Sequence, residues 1–426
     1  MERPHCSGSL FLGKPSIALG RNALLALIAL LFAPNALRAE VGVTDQFVIV
    51  GLPAVFSGPS AGLGVEVWRG VSAAFSAANE AGGVNGHKVA LSLSDDGYDA
   101  ERALAAVQKL VETDKVFVLF SGVGTPTIAR ALPYVLEQNH KNGLVYFGNY
   151  SGAQLQREPP YDKIVFNIRA SYRQETEAIV EALDPEKRKK VGIFVQDDAY
   201  GQSGRDGVKR ALKKYALDVA ADTSYPRGQK LEVSTTPEID AMKKAGVEVV
   251  ITVGSYQACA AFIRDARIGG LTGPIYNLSF TGADQLLRML RAEEQRIGKP
   301  LTTEVITTEV VPSYLDDSIP LVRSYRAAMD EYKPQVPTAT GDSTYKPATP
   351  YSFGSLEGYV DAKVFLLVLQ RAGKDLTRKS FVDAAEGLGA FDLGLQAKAE
   401  LSPTRHQALD KVWFTKVAAG GWATAR

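Results

Sequence analysis

The feature that most restricts this chain is an alternation, repeated along most of its length, between short apolar runs and amphipathic stretches of helical period. The apolar runs are Phe47–Val55, Lys88–Leu93, Val116–Phe120, Leu144–Phe147, Ile164–Ile168, Val191–Val195, Val247–Val253 and Pro274–Leu278. They are rich in Val, Ile and Phe and mostly lack polar alternation, the pattern of strands covered on both faces. Between them, Ala103–Val111 sets Leu104, Val107, Leu110 and Val111 on one stripe, and Glu175–Leu183 and Gly207–Tyr215 do likewise. Repeated strand–helix alternation predicts parallel sheets of doubly wound type.

A chain of 426 residues is too long for one ordinary α/β core and comfortable for two lobes. One unit runs from Phe47 to about Asn167. A second starts at Val191, after the charged cluster Asp184–Lys190, and continues to about Leu290. The remainder offers Val305–Pro312, helices over Leu321–Tyr332 and Leu356–Ala372, and a last strand at Val412–Val417. That is too little for a third lobe, so it is expected to complete the first two. Segment 333–351 holds Pro334, Pro337, Pro347 and Pro350, which stop helices and cannot feed a sheet ladder. It reads as an exposed loop, with a functional lid as the alternative.

Residues 1–39 read differently. Arg3, Lys14, Arg21 and Arg38 stand against Glu2, the apolar run Ala23–Ala33 is too short to span a bilayer, and small residues Ala36 and Ala39 follow. This is the pattern of a secretory signal peptide cut near Ala39, and no cysteine at the cut would take a lipid anchor. Export to the periplasm is the expectation. The whole chain carries a net charge of +1, so the part after this basic leader is mildly acidic and lacks the footprint of a nucleic-acid binder. Of the two cysteines, Cys6 falls in the leader; Cys259 remains, in small apolar company that suits a buried packing role.

Motifs for catalysis are missing from the sequence. His87, His140 and His406 stand in unrelated contexts, without metal-ligand spacing. No phosphate-binding loop, dinucleotide turn after the first strand or GxSxG elbow occurs. Adjacent Asp95 and Asp96 read as loop caps rather than an acid/base pair. No enzyme activity, cofactor or metal is expected.

What remains is a set of strand-to-helix turns, where open α/β sheets bind ligands. After VFVLF, Thr125 fits a helix N-cap with Pro126 behind it, so free N–H groups and the helix dipole would suit a carboxylate. After LVYFGN, Ser151 and Gln154 have capping-box spacing and offer a second hydroxyl at the same sheet edge. In the second unit, Tyr200, Tyr256 and Phe280 each follow a strand, as the aromatic walls of a small-molecule pocket would.

The stretches SGPSAGLG (57–64), NEAGGVNGHKVALSLSDDGYDAERA (79–103), SGVGTPT (121–127), FNIRASYRQET (166–176), VGIFVQDDAYGQSGRDGVKRAL (191–212), FIRDARIGGLTGPIYNLSF (262–280) and SLEGY (355–359) carry a resemblance. The chain resembles the periplasmic substrate-binding proteins of branched-chain amino-acid ABC transporters, the leucine/isoleucine/valine-binding type. The resemblance implies a type I periplasmic binding fold, α/β, with two doubly wound parallel-sheet lobes joined by three crossovers. It places lobe one at about 41–172 plus 311–404 and lobe two at about 173–310 plus 405–426. It implies a monomer that closes on a ligand by hinge motion and docks on an inner-membrane permease. Its carboxylate-binding turn falls on Gly124 and Thr125, its second turn on Asn149 and Ser151, and its lobe-two aromatics on Tyr200 and Tyr256; Tyr150, in the turn after LVYFGN, is a further candidate for ligand contact. Two departures bear on the ligand. Phe280 stands where the family's amino-acid binders place an acidic partner for the ligand ammonium, and Leu63 stands where they place a tyrosine. A buried ammonium without an anionic partner costs several kcal/mol, so an aromatic or aliphatic carboxylate without an amine suits this chain better. The first-lobe disulfide of some relatives is also missing. A sensor that presents the same kind of ligand to a signalling receptor is the alternative.

Overall fold

The computed structural model describes residues 40–338, 341, 343 and 345–425, and the expected leader lies outside them. Lobe one is built on five parallel strands, β1 (Phe47–Ala54), β2 (Lys88–Asp95), β3 (Val118–Phe120), β4 (Tyr146–Phe147) and β5 (Val165–Phe166), in the order β2-β1-β3-β4-β5. The strands alternate with α1 (Ala61–Glu80), α2 (Ala100–Gln108) and α3 (Thr125–Asn142). The chain then passes to lobe two through α4 (Tyr172–Ala182), β6 (Val191–Gln196), α5 (Ala199–Lys213), β7 (Val219–Tyr225), α6 (Thr236–Lys244), β8 (Val249–Val253), α7 (Tyr256–Ile268), β9 (Ile275–Asn277), α8 (Ala283–Ile297) and β10 (Val305–Glu309). It returns to lobe one with α9 (Pro320–Tyr332), α10 (Phe353–Ala372), α11 (Arg378–Glu386) and the short pair β11 (Gly389–Phe391) and β12 (Ala399–Leu401). It ends in lobe two as β13 (Trp413–Ala418) and β14 (Gly421–Ala425).

All eight apolar runs contain strands, most of them shorter than the run, because backbone pairing stops before side-chain burial does. β6 and β8 are buried at every residue, as two-face coverage requires. Two features go beyond the sequence reading. Lobe two is not wholly parallel: its order β14-β13-β10-β9-β8-β6-β7 ends in two antiparallel strands supplied by the tail. β7 escaped the reading because it is an edge strand, VAADTSY, with only Tyr225 buried and no apolar run.

The tail completes lobe one through a close helix crossing. A Cβ on Gly70 of α1 would fall 1.7 Å from the Ser355 carbonyl oxygen of α10, and one on Gly358 would fall 2.2 Å from that of Val67. Two of the three crossovers run side by side: the Asn167 amide donates to the His406 carbonyl (2.7 Å), and the Ala408 amide to that of Asn167 (2.8 Å). The lobes are closed on one another, and a continuous set of buried apolar side chains runs from one core into the other.

Candidate ligand-binding cleft

The carboxyl ends of both parallel sheets face the junction between the lobes. In lobe one, Gly124 precedes α3 with φ +115°, a conformation that favours glycine. A Cβ there would sit 2.6 Å from the Tyr98 ring. Gly124, not Thr125, is therefore the N-cap, and Thr125 opens the helix itself. Its freed hydroxyl meets Ser151 Oγ at 2.8 Å and Tyr172 OH at 3.3 Å. Ser151 forms no capping box either: the short turn Gln154–Arg157 starts after Ala153, and Ser151 Oγ accepts from the Ala153 amide (3.3 Å). Both hydroxyls thus belong to one buried cluster at the positive end of α3.

In lobe two, Asp198 caps α5 by accepting from the Tyr200 amide (2.9 Å), which fixes Tyr200 in the first turn. Phe280 sits in a single turn, Ser279–Thr281, that ends at Gly282 with φ +82°. Tyr200 packs on Phe280 within lobe two at 4.7 Å between centroids, and ring contacts run across the junction from this pair: Tyr172–Tyr200 at 5.1 Å, Tyr150–Phe280 at 5.5 Å and Tyr98–Phe280 at 6.1 Å. The Tyr200 hydroxyl is buried in this cluster without a hydrogen-bond partner among the described residues, and burial pushes its ionisation well above that of an ordinary tyrosine.

Of the eight residues expected at the site, Thr125, Tyr150, Ser151, Tyr200 and Phe280 thus meet in one cluster, with Gly124 against Tyr98 at its edge. Tyr256 lies at the junction, where its hydroxyl accepts from the Gly62 amide (3.3 Å) at the start of α1. Asn149 turns its side chain toward lobe one, donating to Gln156 Oε1 (2.9 Å).

Sequence reading missed Tyr98, Tyr172 and Arg169. Tyr98 follows β2 and was within reach of the strand-end rule; its hydroxyl accepts from Gln196 Nε2 of lobe two (3.2 Å). Tyr172 and Arg169 come from a crossover, which that rule does not cover. Arg169 is fully buried beneath the cluster, 5.2 Å from the Tyr150 ring centroid and 5.6 Å from that of Tyr172. It pairs with Glu175 (2.9 Å) and Glu357 (3.2 Å) and donates to Ser279 Oγ. Burial opposes its charge, but the two carboxylates outweigh burial and hold its pKa above the usual arginine value. Its charge is therefore spent within the protein; burial first, and then the nearby carboxyls of Glu357 and Glu309, push the ionisation of the Tyr150 hydroxyl well above its ordinary value. A separate cavity of about 440 Å³ on lobe one, lined by Asn85, Leu321, Lys363 and Asp392 among others, holds none of the expected residues.

A family model described as periplasmic binding protein matches residues 48–422. A Brucella suis protein named Leu/Ile/Val-binding protein homolog 7 is 26% identical over 381 residues, covering 86% of each chain. An amino acid binding protein of Pseudomonas aeruginosa is 26% identical over 228 residues, 53% of this chain, and the match spans 58% of that protein's length. The crystal structure of a possible leucine/isoleucine/valine-binding protein from Rhodopirellula baltica superimposes with a TM-score of 0.79 at 30% identity, covering 91% of this chain and 98% of that one. The chain belongs to the periplasmic binding protein family.

Proposed function

We propose that this protein captures a small carboxylate-bearing molecule between its lobes by hinge closure and delivers it, chemically unchanged, to an inner-membrane ABC permease. The lobes are bounded at 41–172 with 311–404 and at 173–310 with 405–426, and residues 1–39 act as the export signal. The observation that carries this reading is the convergence of strand ends from both sheets on one cluster. Thr125 and Ser151 supply hydroxyls on one side, and Tyr200 lies opposite with a buried, unpartnered hydroxyl. Opening the lobes separates Tyr200 and Phe280 from Thr125, Ser151 and Tyr172 and makes room for a guest. The carboxylate goes to the Thr125–Ser151 pair at the α3 N-terminus. The apolar part lies against the rings of Tyr150, Tyr200 and Phe280, with the Tyr200 hydroxyl free to donate to the guest's carboxylate.

The relatives are named for leucine, isoleucine and valine, but Phe280 stands where that family's amino-acid binders place an acidic partner, and Glu175 and Glu357 are already paired with Arg169. L-Leucine and 4-methylpentanoate differ only in the amine, so they separate the two ligand classes. We expect 4-methylpentanoate or benzoate to raise the melting temperature by several degrees, since a ligand at about 100 times its Kd stabilises the folded state by about 2.7 kcal/mol. A larger shift with L-leucine or L-valine overturns the choice of a ligand without an amine. Turnover of any of these compounds overturns the non-enzymatic reading.

A further inference from the structure

The proline-rich segment after α9 has described residues that reach across the junction. Its two ends are pinned to α1 by one buried side chain. Arg69 donates from Nε to the Pro334 carbonyl (2.8 Å), from Nη1 to that of Thr349 (3.2 Å) and from Nη2 to that of Pro350 (3.0 Å). Glu66 balances its charge at 2.7 Å and also accepts from Ser352 Oγ (2.7 Å).

From this base Tyr345 extends to lobe two. Its hydroxyl donates to Glu66 Oε1 (2.7 Å) and accepts from Gln285 Nε2 of α8 (3.0 Å). The Arg288 guanidinium lies 5.5 Å from its ring centroid, and Arg288 Nη1 donates to the Lys346 carbonyl (3.1 Å). The ring packs on the first turn of α1, where a Cβ on Gly62 would fall 2.8 Å from Tyr345 Cε2. That is the same turn whose Gly62 amide meets Tyr256. None of these contacts uses Thr125, Ser151, Tyr200 or Phe280. Those to Gln285 and Arg288 exist only while the lobes are together, so they bias the closed form without touching a guest.

We propose that Tyr345, held by Arg69 and Glu66 and engaging Gln285 and Arg288, is an affinity-determining latch outside the ligand site. It is a positioning residue: it sets the ratio of closed to open protein, and apparent affinity scales with the fraction of molecules in the competent state. The inference rests on hinge closure as proposed above.

The test is the distance between spin labels on exposed Lys141→Cys of lobe one and Lys244→Cys of lobe two, measured by pulsed EPR; Cys259 is buried and stays unlabelled. The parent is compared with Gln285→Ala/Arg288→Ala and with Arg288→Ala alone, whose side chain is exposed and whose loss is expected to leave folding intact, as a thermal melt checks. Each is measured without ligand and with benzoate, 4-methylpentanoate or L-leucine. We expect the double variant to shift the ligand-free closed-to-open ratio toward open by about tenfold, and Arg288→Ala by a smaller factor in the same direction. If the parent's distances respond to one of the carboxylates while both variants keep the parent's ligand-free distribution, the latch is overturned and hinge closure stands. If no compound and no variant moves the labels, both readings fail.

Discussion

The Tyr200 hydroxyl is a polar group buried at the junction with no hydrogen-bond partner among the described residues. Leaving such a group unsatisfied costs about 1–3 kcal/mol, and removing it leaves an apolar ring of the same shape. Tyr200→Phe is therefore expected to leave the ligand-free melting temperature unchanged or raise it by a few degrees, while weakening carboxylate binding by about tenfold. Calorimetry and thermal melts on the same samples check both halves, and unchanged affinity removes this hydroxyl from the site. The residue scale also shows where local rules mislead. A Thr–Pro pair after a strand satisfies every local criterion for an N-cap, yet the Tyr98 ring, distant in sequence, crowds the preceding position so closely that glycine takes the cap. Thr125 is thereby freed to bond across to Ser151.

Element packing explains how the tail holds lobe one together. α1 and α10 approach so closely that Gly70 and Gly358 meet the opposing backbone. Backbone oxygens cannot rotate aside as a side-chain end can, so Gly70→Ala must push the helices apart. Overpacking of this kind typically costs about 1–3 kcal/mol, and contact with a rigid backbone puts it at the upper end or above. Gly420→Ala, with no atom within 4 Å of the added Cβ, serves as the control near zero. Urea unfolding of both variants measures the difference, and equal midpoints refute the crossing as described. The β-strands were legible at this scale because two-face burial writes itself into the sequence as runs of Val, Ile and Phe. The edge strand β7 and the antiparallel β14 were not, since partial exposure removes that signature.

For the molecule as a whole, several carboxyl groups lie buried between and behind the lobe interfaces. Burial pushes Asp96 up to about 8, and Glu309 and Asp361 are raised well above their ordinary values by the same cause. The native state keeps such a proton while the unfolded chain releases it near pH 4. The stability this retained proton contributes is present in full at acid pH and is lost progressively as pH rises toward about 8. Asp96→Asn preserves the carbonyl that accepts from the Tyr98 amide (2.8 Å) and removes the titration. The variant is expected to flatten the fall of urea midpoint between pH 5 and pH 8, and an unchanged slope excludes Asp96 as its source.

The alternation of apolar runs and helical stripes was enough to specify two doubly wound lobes, because burial on two faces and helical amphipathicity are properties of neighbouring residues. The strand-end rule likewise brought out Thr125, Ser151, Tyr200, Tyr256 and Phe280 in advance. Tertiary structure alone decided that Arg169 would be neutralised by Glu175 and Glu357, that Tyr172 would join the cluster, and that Tyr345 would reach α8. Each of those contacts depends on how far apart two distant parts of the chain come to rest once the lobes close, and that separation is written in no local pattern.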